Sequence, residues 1–529
     1  GSLSAPKTAD GDSAIGFKNA DGSTPTPNAQ GQYSNYDNEL LDAHWIAGDG
    51  RVNENTGLTA FHTMFHNEHD RLVDDYKRIA VESGDLAFLN QWLLKPLTTL
   101  PTSVAEVAAD NWNGERLFQA ARFNVEMQYQ HSVFEEFARF IDPNLAEDQG
   151  YLPNLDPQIT REFANVVYRF GHSMLDETVD RFTPDWQNTS QGLIAAFLNP
   201  LAFTDPLNPD GNLATAAYTA EEAAGQILRG MTRQQGNAID EFVTGALRNN
   251  LVGLPMDLVT INLSRARELG IPRLNQARQE LYTLTSNPQL APYANWINFA
   301  DSLKHRASLI NFVAAYGTHP ELIKLRDPNT QGNNPTQTGT YLAGFTPETR
   351  ISLLRSTAMA LIDGTHKDSA AFMNATGTFA NRRGGVDDID FWIGGLAEKP
   401  LAQVGMLGST FSFVFNQQLQ ALQNADRFYY LRRLPGSILT QIEGNAFSAM
   451  AQRTMDVASL PGHVFSLPLY TLEVDATKQL TNLGNGKADP IEANRVNATA
   501  ADIGYSVDNT IRWSGGHVVL AGSETRDLL

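Results

Sequence analysis

Histidines are the main candidates for metal binding and acid–base chemistry in this 529-residue chain, because it contains no cysteine. The absence of cysteine excludes disulfides, thiolate zinc sites, iron–sulfur clusters, thiolate-ligated haem and a cysteine nucleophile. In the segment HTMFHNEH, His62, His66 and His69 lie close together with Glu68 beside them. A spacing of four would place His62 and His66 on one helix face, as in H-E-x-x-H metal sites, although no Glu follows the first His. The plainer interpretation is that these polar helix positions pair with nearby carboxylates.

The second candidate is His172 in the segment VVYRFGHSML. Helical spacing puts it on the side of Phe170 and Met174, where a hydrogen-bonded core histidine is the plainer interpretation. A neutral imidazole in an apolar wall is also what a haem iron ligand requires, together with a partner for its other ring nitrogen. No G-x-S-x-G, P-loop or dinucleotide fingerprint is present, and nothing brings two carboxylates together as in glycosidases.

The elements that must position these residues are mainly helices. From about residue 57 the chain has helical periodicity, with one apolar face. That predicted face consists of Leu58, Phe61, Phe65, Leu72, Tyr76 and Ile79. Further helices are predicted over 114–141, ended by Pro143, and over about 156–181, with Phe163, Val167, Phe170 and Met174 on one stripe. Loops are predicted near 199–213 and 327–340, and strands only at 517–522 and 463–474.

The composition is that of a globular protein, with 42% hydrophobic and 19% charged residues. The net charge of −20 disfavours nucleic acid and anionic membranes as partners. No run approaches the roughly 20 apolar residues of a membrane span. We predict a polar leader over residues 1–32, a helical domain over 33–500 and a strand segment over 501–529.

Four separated segments resemble the animal-type haem peroxidases of the peroxidase–cyclooxygenase superfamily. They are AGDGRVNENTGLTAFHTMFHNEHDRL at 47–72, VVYRFGHSML at 166–175, PMDLVTINLSRARELGIPRLNQAR at 255–278, and DDIDFWIGGLAEKP at 387–400 followed by ADRFYY at 425–430. They keep the family's order and spacing. The resemblance implies a mainly α haem-peroxidase fold with few short strands, and haem as cofactor.

Residue by residue, the resemblance implies that His172 is the proximal ligand of the haem iron. Asn262 matches the side chain that accepts the N–H of that histidine, and Arg265 matches the arginine that pairs with a haem propionate. Glu268 and Leu269 replace the family's Asp-His after this motif. The haem contacts are expected to survive that change.

On the other side of the haem, Arg51 matches the distal arginine that polarises peroxide and stabilises the anionic leaving oxygen. Glu54 matches the carboxylate that can be esterified to a haem methyl group. Asn55 stands where some members have a methionine linked to a haem vinyl group, so that second link is not expected. His66 falls where many members carry arginine, and the fold then accounts for the histidine-rich helix.

The family's distal histidine and its calcium-binding loop lie well upstream of the distal arginine, and neither motif is among residues 1–50. The context of His44 does not match, although it is a candidate substitute. We therefore expect the missing segment to lie upstream, on another chain, or to be absent. The segment HVVLAGSETRDLL resembles the lead-in to calcium-binding nonapeptide repeats of RTX-type proteins, which implies a bacterial-type secreted protein and calcium as a further cofactor.

The leading functional prediction is a haem peroxidase that uses hydrogen peroxide to oxidise a small donor, namely a halide, a phenol or a metal ion. One alternative is a fatty-acid oxygenase, whose family members carry a radical-forming tyrosine three residues before the proximal histidine. Here that position is Arg169, and Tyr168 is one residue away. The other alternative is a non-catalytic haem-binding or structural module of a large secreted adhesin- or toxin-like protein.

Overall fold

The computed structural model describes residues 45, 47–206, 217–248, 256–326, 346–401, 405–458 and 460–466, and the backbone of 511–514 and 517–520. The described chain is mainly helical, with two small two-stranded antiparallel sheets. The predicted fold class is therefore confirmed. The predicted domain boundaries at 32/33 and 500/501 lie outside the described residues. Among the described residues, no helix combines the length and apolar character needed to cross a bilayer.

The α-helices have the following bounds, in chain order. They are α1 Thr56–Glu82, α2 Leu86–Asn90, α3 Gly114–His131, α4 Arg139–Ile141, α5 Arg161–Asn165, α6 Gly171–Met174, α7 Ala220–Met231, α8 Leu258–Glu268, α9 Leu274–Thr285, α10 Trp296–Ser302, α11 Leu309–Tyr316, α12 Pro320–Arg326, α13 Pro347–Asp363, α14 Ser369–Met373, α15 Phe391–Ala397, α16 Ser409–Ala425, α17 Tyr430–Arg433, α18 Gly436–Glu443 and α19 Phe447–Thr454.

Short 3-10 helices connect many of these elements. They are Gly50–Asn53, Val104–Glu106, Ala109–Asn111, Val167–Phe170, Pro200–Phe203, Gly245–Leu247, Pro288–Leu290, Arg306–Ser308, Gly377–Phe379 and Asn381–Asp388, and a π-helix spans Ser132–Ala138. The strands are β1 Thr178–Val179, paired with β2 Gln191–Gly192, and β3 Ile511–Ser514, paired with β4 His517–Leu520.

The chain divides into two compact units. The first unit comprises the described parts of residues 1–137, 176–236 and 428–529, and the second comprises those of 138–175 and 237–427. In the first unit the 27-residue helix α1 packs against α3, α7 and α19. On another side, α7 lies against the backbone of Asp180, which follows β1, because Gly230 has no side chain: a Cβ there would lie 1.9 Å from the carbonyl oxygen of Asp180.

The face of α1 that is buried differs from the predicted one. Its buried residues include small and polar side chains such as Thr59, Thr63 and Glu68. Of the predicted apolar face only Leu72 is buried, and Ile79 is 43% exposed. Apolar periodicity therefore predicted the helix but not its buried face, which is the one in contact with the packed helices α3, α7 and α19.

Glu68 anchors the buried face of α1 through charge. It accepts from Arg71 Nε at 2.8 Å, from Gln128 Nε2 at 3.0 Å and from Arg453 Nη2 at 2.7 Å. Burial alone would raise the pKa of Glu68, but the hydrogen bonds from Arg71 and Arg453 outweigh it and lower that pKa. A fully buried carboxylate with these partners stays ionised, which ties α1, α3 and α19 together.

The second unit contains the segment around His172. The single helix predicted over 156–181 is wrong: the chain forms α5, a 3-10 turn over Val167–Phe170 and α6, and it then leaves helical structure. The break lies at Val166, whose φ of −127° and ψ of −74° are not helical. Phe163, Val167 and Phe170 are buried as the stripe predicted, so the apolar pattern survives the break.

The other predicted elements have mixed outcomes. The helix predicted over 114–141 is present, with a π-helical segment inside it. The strand predicted at 517–522 is present as β4, whereas residues 463–466 form a turn, and the rest of the strand predicted at 463–474 lies outside the described residues. Of the two predicted loops only residues 199–206 are described, and they contain the 3-10 helix Pro200–Phe203.

Candidate functional site

His172 and Asn262 meet in the second unit. The ring of His172 is half-buried at the start of α6, and Asn262 is fully buried on α8. The Asn262 side-chain nitrogen Nδ2 lies 2.8 Å from His172 Nδ1. Burial, helped by the charge of Arg169, lowers the pKa of His172 to about 4. The imidazole is therefore neutral at pH 7, the form that a metal requires.

Arg169 decides which way the Asn262 amide faces. Arg169 Nη1 donates to Asn262 Oδ1 at 2.8 Å, so the amide presents Nδ2 to His172. His172 Nδ1 then accepts, which leaves the ring proton on Nε2. The sequence-based expectation was the reverse, with Asn262 accepting the histidine N–H. Ligation of a metal through Nε2 needs that reverse arrangement, in which the proton is on Nδ1 and Asn262 Oδ1 accepts a hydrogen bond from it.

Two guanidinium groups lie near this pair without a carboxylate partner among the described residues. The hydrogen bonds of Arg169 go to Asn262, to the Ala164 carbonyl and to Asn165, all neutral. Arg265 is exposed on α8. Burial lowers the pKa of Arg169, and the positive charge of Arg265 adds to that effect. Two cations that repel each other favour an anionic ligand, and a haem propionate fits this requirement.

The segments 255–278 and 387–400 contact each other and the segment that carries His172. Asp390 is buried and binds Arg267 Nε at 3.0 Å, the Tyr316 hydroxyl at 2.8 Å, and Arg273. Two residues further, the Trp392 indole N–H donates to the carbonyl oxygen of Arg169 at 3.3 Å. The segments at 166–175, 255–278 and 387–400, which the resemblance linked only by order, are thus in direct contact.

A left-handed turn leads into Asp390. Gly385 has φ +113°, and a Cβ there would lie 2.2 Å from the carbonyl oxygen of Tyr316. A residue with a side chain would push this turn away from Tyr316. The position of the Asp390 carboxylate therefore depends partly on Gly385, which an inspection of the charged residues alone would not single out.

In the first unit, Arg51 lies on the 3-10 helix Gly50–Asn53 and is paired with Asp49. Arg51 Nη2 is 2.6 Å from Asp49 Oδ2, and Nε is 3.0 Å from Oδ1. The hydrogen bond from Arg51 lowers the pKa of Asp49 to about 2. The Arg51 side chain is 79% exposed, so its outer N–H groups can reach a small ligand.

Glu54 and Asn55 follow directly. Glu54 is exposed, and its backbone is held by a bond from its N–H to the Arg51 carbonyl at 2.9 Å. Asn55 is the N-cap of α1, with its Oδ1 accepting from the Gly57 N–H at 2.7 Å. Position 55 therefore has a structural task in this chain.

Sequence reasoning missed a cavity of about 1080 Å³ in the first unit. Leu58, Phe61 and Phe65 line it, so the apolar face predicted for α1 partly forms its wall. Its further lining includes Asp49, His62, His66, His69, Trp112, Phe118 and Tyr129. Its size and apolar lining with a few polar groups are typical of a small-molecule site.

The three histidines on α1 do not form a metal centre in the described structure. His69 Nε2 lies 3.2 Å from the Phe118 carbonyl oxygen, and Glu68 is committed to two arginines. Burial lowers the pKa of His62, with a smaller effect from the charge of His66. The position predicted as a substitute distal residue, His44, lies outside the described residues.

The family of this protein follows from a comparison with known sequences. A family model described as animal haem peroxidase matches residues 8–325 and 374–460. The chain belongs to the animal haem peroxidase family. It is 28% identical to peroxidasin of Drosophila melanogaster over 269 residues, which are 49% of this chain and 15% of that protein. It is 22% identical to peroxinectin A of Dictyostelium discoideum over 440 residues, which are 82% of this chain and 60% of that protein.

Among solved structures, peroxidase A from Dictyostelium discoideum is similar, with a TM-score of 0.52 and 22% sequence identity. The match covers 84% of this chain and 64% of that structure. The chain thus spans less than two thirds of these relatives. The structural similarity supports the helical peroxidase fold, and haem is the cofactor that the family implies.

Proposed function

We propose that this chain is a haem-dependent peroxidase that uses hydrogen peroxide to oxidise a small donor. The observation that carries the proposal is the His172–Asn262 pair beside Arg169 and Arg265. The imidazole is neutral and half-buried, and Asn262 lies beside its Nδ1. When Arg169 turns to a propionate, the Asn262 amide can rotate so that Oδ1 accepts from Nδ1–H, and Nε2 is then free to bind iron. Two guanidinium groups without a carboxylate partner in the described structure suit the propionates.

The bound haem would supply the redox chemistry, accepting two oxidising equivalents from peroxide and passing them to the donor. His172 holds the group in place, and Asn262 orients the ring. Arg265 and Arg169 neutralise its carboxylates. Arg51 donates hydrogen bonds to peroxide and stabilises the negative charge on the leaving oxygen. The group that moves the peroxide proton is not assigned to a residue of this chain. Covalent attachment through Glu54 also stays a prediction.

Among the three donor classes predicted, the cavity in the first unit favours a phenol. Phe61, Phe65 and Phe118 present aromatic surface there, and the histidines offer hydrogen-bond partners for a hydroxyl group. A halide would gain little from such a wall, because it needs cationic or N–H contacts. Phe65→Ala should therefore weaken the apparent affinity for a phenol and leave halide oxidation unchanged.

Loss of haem on removing the ligand is the decisive test of the proposed function. We expect His172→Ala to lose the ferric Soret band, while His366→Ala, which alters another half-buried histidine of the same unit, keeps it. Arg51→Gln should keep the band and lose most peroxide-dependent turnover. Haem retention in His172→Ala, with a Soret band that still shifts with cyanide, would contradict the assignment.

The two alternative functions make different demands. An oxygenase would need a buried tyrosine, but Arg169 is engaged with Asn262, and Tyr168 is 50% exposed with its ring against Phe163. Oxygen uptake on adding a polyunsaturated fatty acid would nevertheless support it. A non-catalytic module would bind haem without peroxide turnover in the parent protein.

We also propose that the protein is extracellular and bacterial, and that it binds calcium near its C-terminal segment. This proposal rests on the resemblance of HVVLAGSETRDLL to the lead-in of calcium-binding repeats. Immunodetection of the protein in culture medium, against a cytoplasmic marker, tests the location.

A further inference from the structure

A second group of potential ligands lies in the second unit, apart from His172. Asp240, Glu241 and His305 each bring one nitrogen or oxygen atom into a group whose members are all within 4.8 Å of one another. His305 Nε2 lies 3.0 Å from Asp240 Oδ2. Two ligands bound tetrahedrally to one cation are separated by about 3.3 Å, since metal–ligand bonds are about 2.0–2.1 Å long. The His305–Asp240 pair is therefore already near a ligand spacing.

Glu241 is the unexplained member of this group. Both of its carboxylate oxygens are shielded from solvent, and neither has a hydrogen-bond partner among the described residues. A desolvated carboxylate without a partner is costly, so such a group calls for a missing counter-charge. Lys304 supplies only a distant positive charge, because its Nζ lies 3.9 Å from Asp240 Oδ2.

The neighbouring atoms are arranged as they are in metal sites. Asp240 Oδ1 accepts from the Phe242 N–H at 2.9 Å, which fixes the carboxylate with Oδ2 toward His305. In the described structure Nδ1 of His305 has no hydrogen-bond partner, so it can carry the ring proton while Nε2 binds a cation. His305 is also 41% exposed at its side chain, which leaves the site open to solvent.

We propose that Asp240, Glu241 and His305 bind a divalent transition-metal cation. The cation takes the place of the proton between His305 and Asp240 and supplies the positive charge that Glu241 lacks. One imidazole with two carboxylates suits Mn²⁺ or Zn²⁺, whereas Ca²⁺ and Mg²⁺ prefer oxygen ligands alone. This site is independent of haem and of the proposed peroxidase activity.

A similar group in the same unit shows what distinguishes the proposed site. His319, Glu321 and His366 also have ligand atoms within 4.8 Å. There Nδ1 of His319 accepts from the Glu321 N–H at 3.3 Å, and Nδ1 of His366 accepts from the Asp368 N–H at 3.1 Å. The ring protons are thus on Nε2, where they are donated to Asp368 and Glu321. Both nitrogens of each imidazole thus have a hydrogen-bond partner, a carboxylate on Nε2 and a backbone N–H on Nδ1. This group therefore serves as the control.

The experiment titrates the full chain, first stripped of metals with EDTA, with Mn²⁺ alone. Binding is followed by loss of the electron paramagnetic resonance signal of free Mn²⁺, and Zn²⁺ is titrated separately by calorimetry. Wild type, Glu241→Gln and the control Glu321→Gln are compared. We expect one cation per chain in wild type and in the control, and an affinity at least about tenfold weaker in Glu241→Gln.

Thermal unfolding gives a second readout. Without metal, Glu241→Gln should melt at or above the wild-type temperature, because it removes an uncompensated buried charge. The cation should raise the melting temperature of wild type and of the control, and not that of Glu241→Gln. If Glu241→Gln fails to fold, His305→Ala takes its place in both assays. Equal binding by wild type and by the site variant that folds, no binding at millimolar cation, or an equal loss in the control would overturn the proposal.

Discussion

His172 is oriented by Asn262, which lies 90 positions further along the chain, whereas Arg51 is oriented by Asp49, two positions before it. The first pair is shielded and linked to Arg169, and the second is largely exposed. A side chain held by distant buried partners depends on the fold of its unit. A side chain held by a local turn depends mainly on its own short segment. Substitutions should therefore affect the two regions very differently.

Asn262→Leu should have the largest effect. It leaves His172 Nδ1 and the Arg169 guanidinium without their buried partner, which costs about 2–3 kcal/mol of unfolding free energy. Haem affinity should fall about 10–100-fold because the ring loses its orientation. Urea unfolding and haem titration measure the two effects. Asn262→Asp is the matched control, since a carboxylate still binds Arg169 and accepts from His172. Equal haem affinity in Asn262→Leu and wild type would show that the distant partner is unimportant.

The pH dependence of the haem-free chain should come next. The pKa of His172 falls from an ordinary 6.5 to about 4 on folding, so the unfolded chain takes up the proton first. This contribution to stability is complete above pH 6.5, declines as the pH falls to 4, and amounts to up to about 3 kcal/mol.

Chemical denaturation at several pH values, compared with His172→Phe, measures this contribution. The variant should lack that part of the slope. An NMR resonance of the His172 ring that titrates near pH 6.5 would contradict the expectation. It would mean that His172 is solvated in the folded chain, as the exposed Arg51 is.

Asn55→Ala should have a smaller effect, confined to the first unit. It removes the side-chain bond to the Gly57 N–H at the start of α1, which costs about 1 kcal/mol of unfolding free energy. Asn55→Asp keeps the cap and should be nearly neutral. Both variants should bind haem as wild type does; a haem defect in Asn55→Ala alone would mean that the local turn also shapes the cofactor site.

The smallest effect on stability is expected for Asp49→Asn. The pair with Arg51 is exposed, so the melting temperature should not change measurably. Peroxide turnover should change instead, because the Arg51 guanidinium loses the partner that orients it. Steady-state kinetics and thermal unfolding separate the two readouts. A clear drop in melting temperature would show that this segment is as dependent on the fold as His172 is.

The amino-acid sequence by itself determined the family, the helical class and the segments that carry the candidate residues. His172, Asn262 and Arg265 were singled out from motifs in which residue type and spacing are both restricted. Long helices were also predictable, because an apolar period of 3.6 residues is a local property, as in Thr56–Glu82. The expected contact of Asn262 with His172 came from the resemblance, since no local signal joins residues so far apart.

Only the tertiary structure decided the rest. It turned the small and polar face of α1 inward, where α7 packs against it and where Arg453 neutralises Glu68. It broke the predicted helix at Val166. It also placed Arg169 where it donates to Asn262 Oδ1, so that Asn262 Nδ2 faces His172 instead of the expected oxygen. It also brought Glu241 beside His305. Periodicity records which side chains share a face, but charge pairing and close packing depend on partners that the chain supplies from far away.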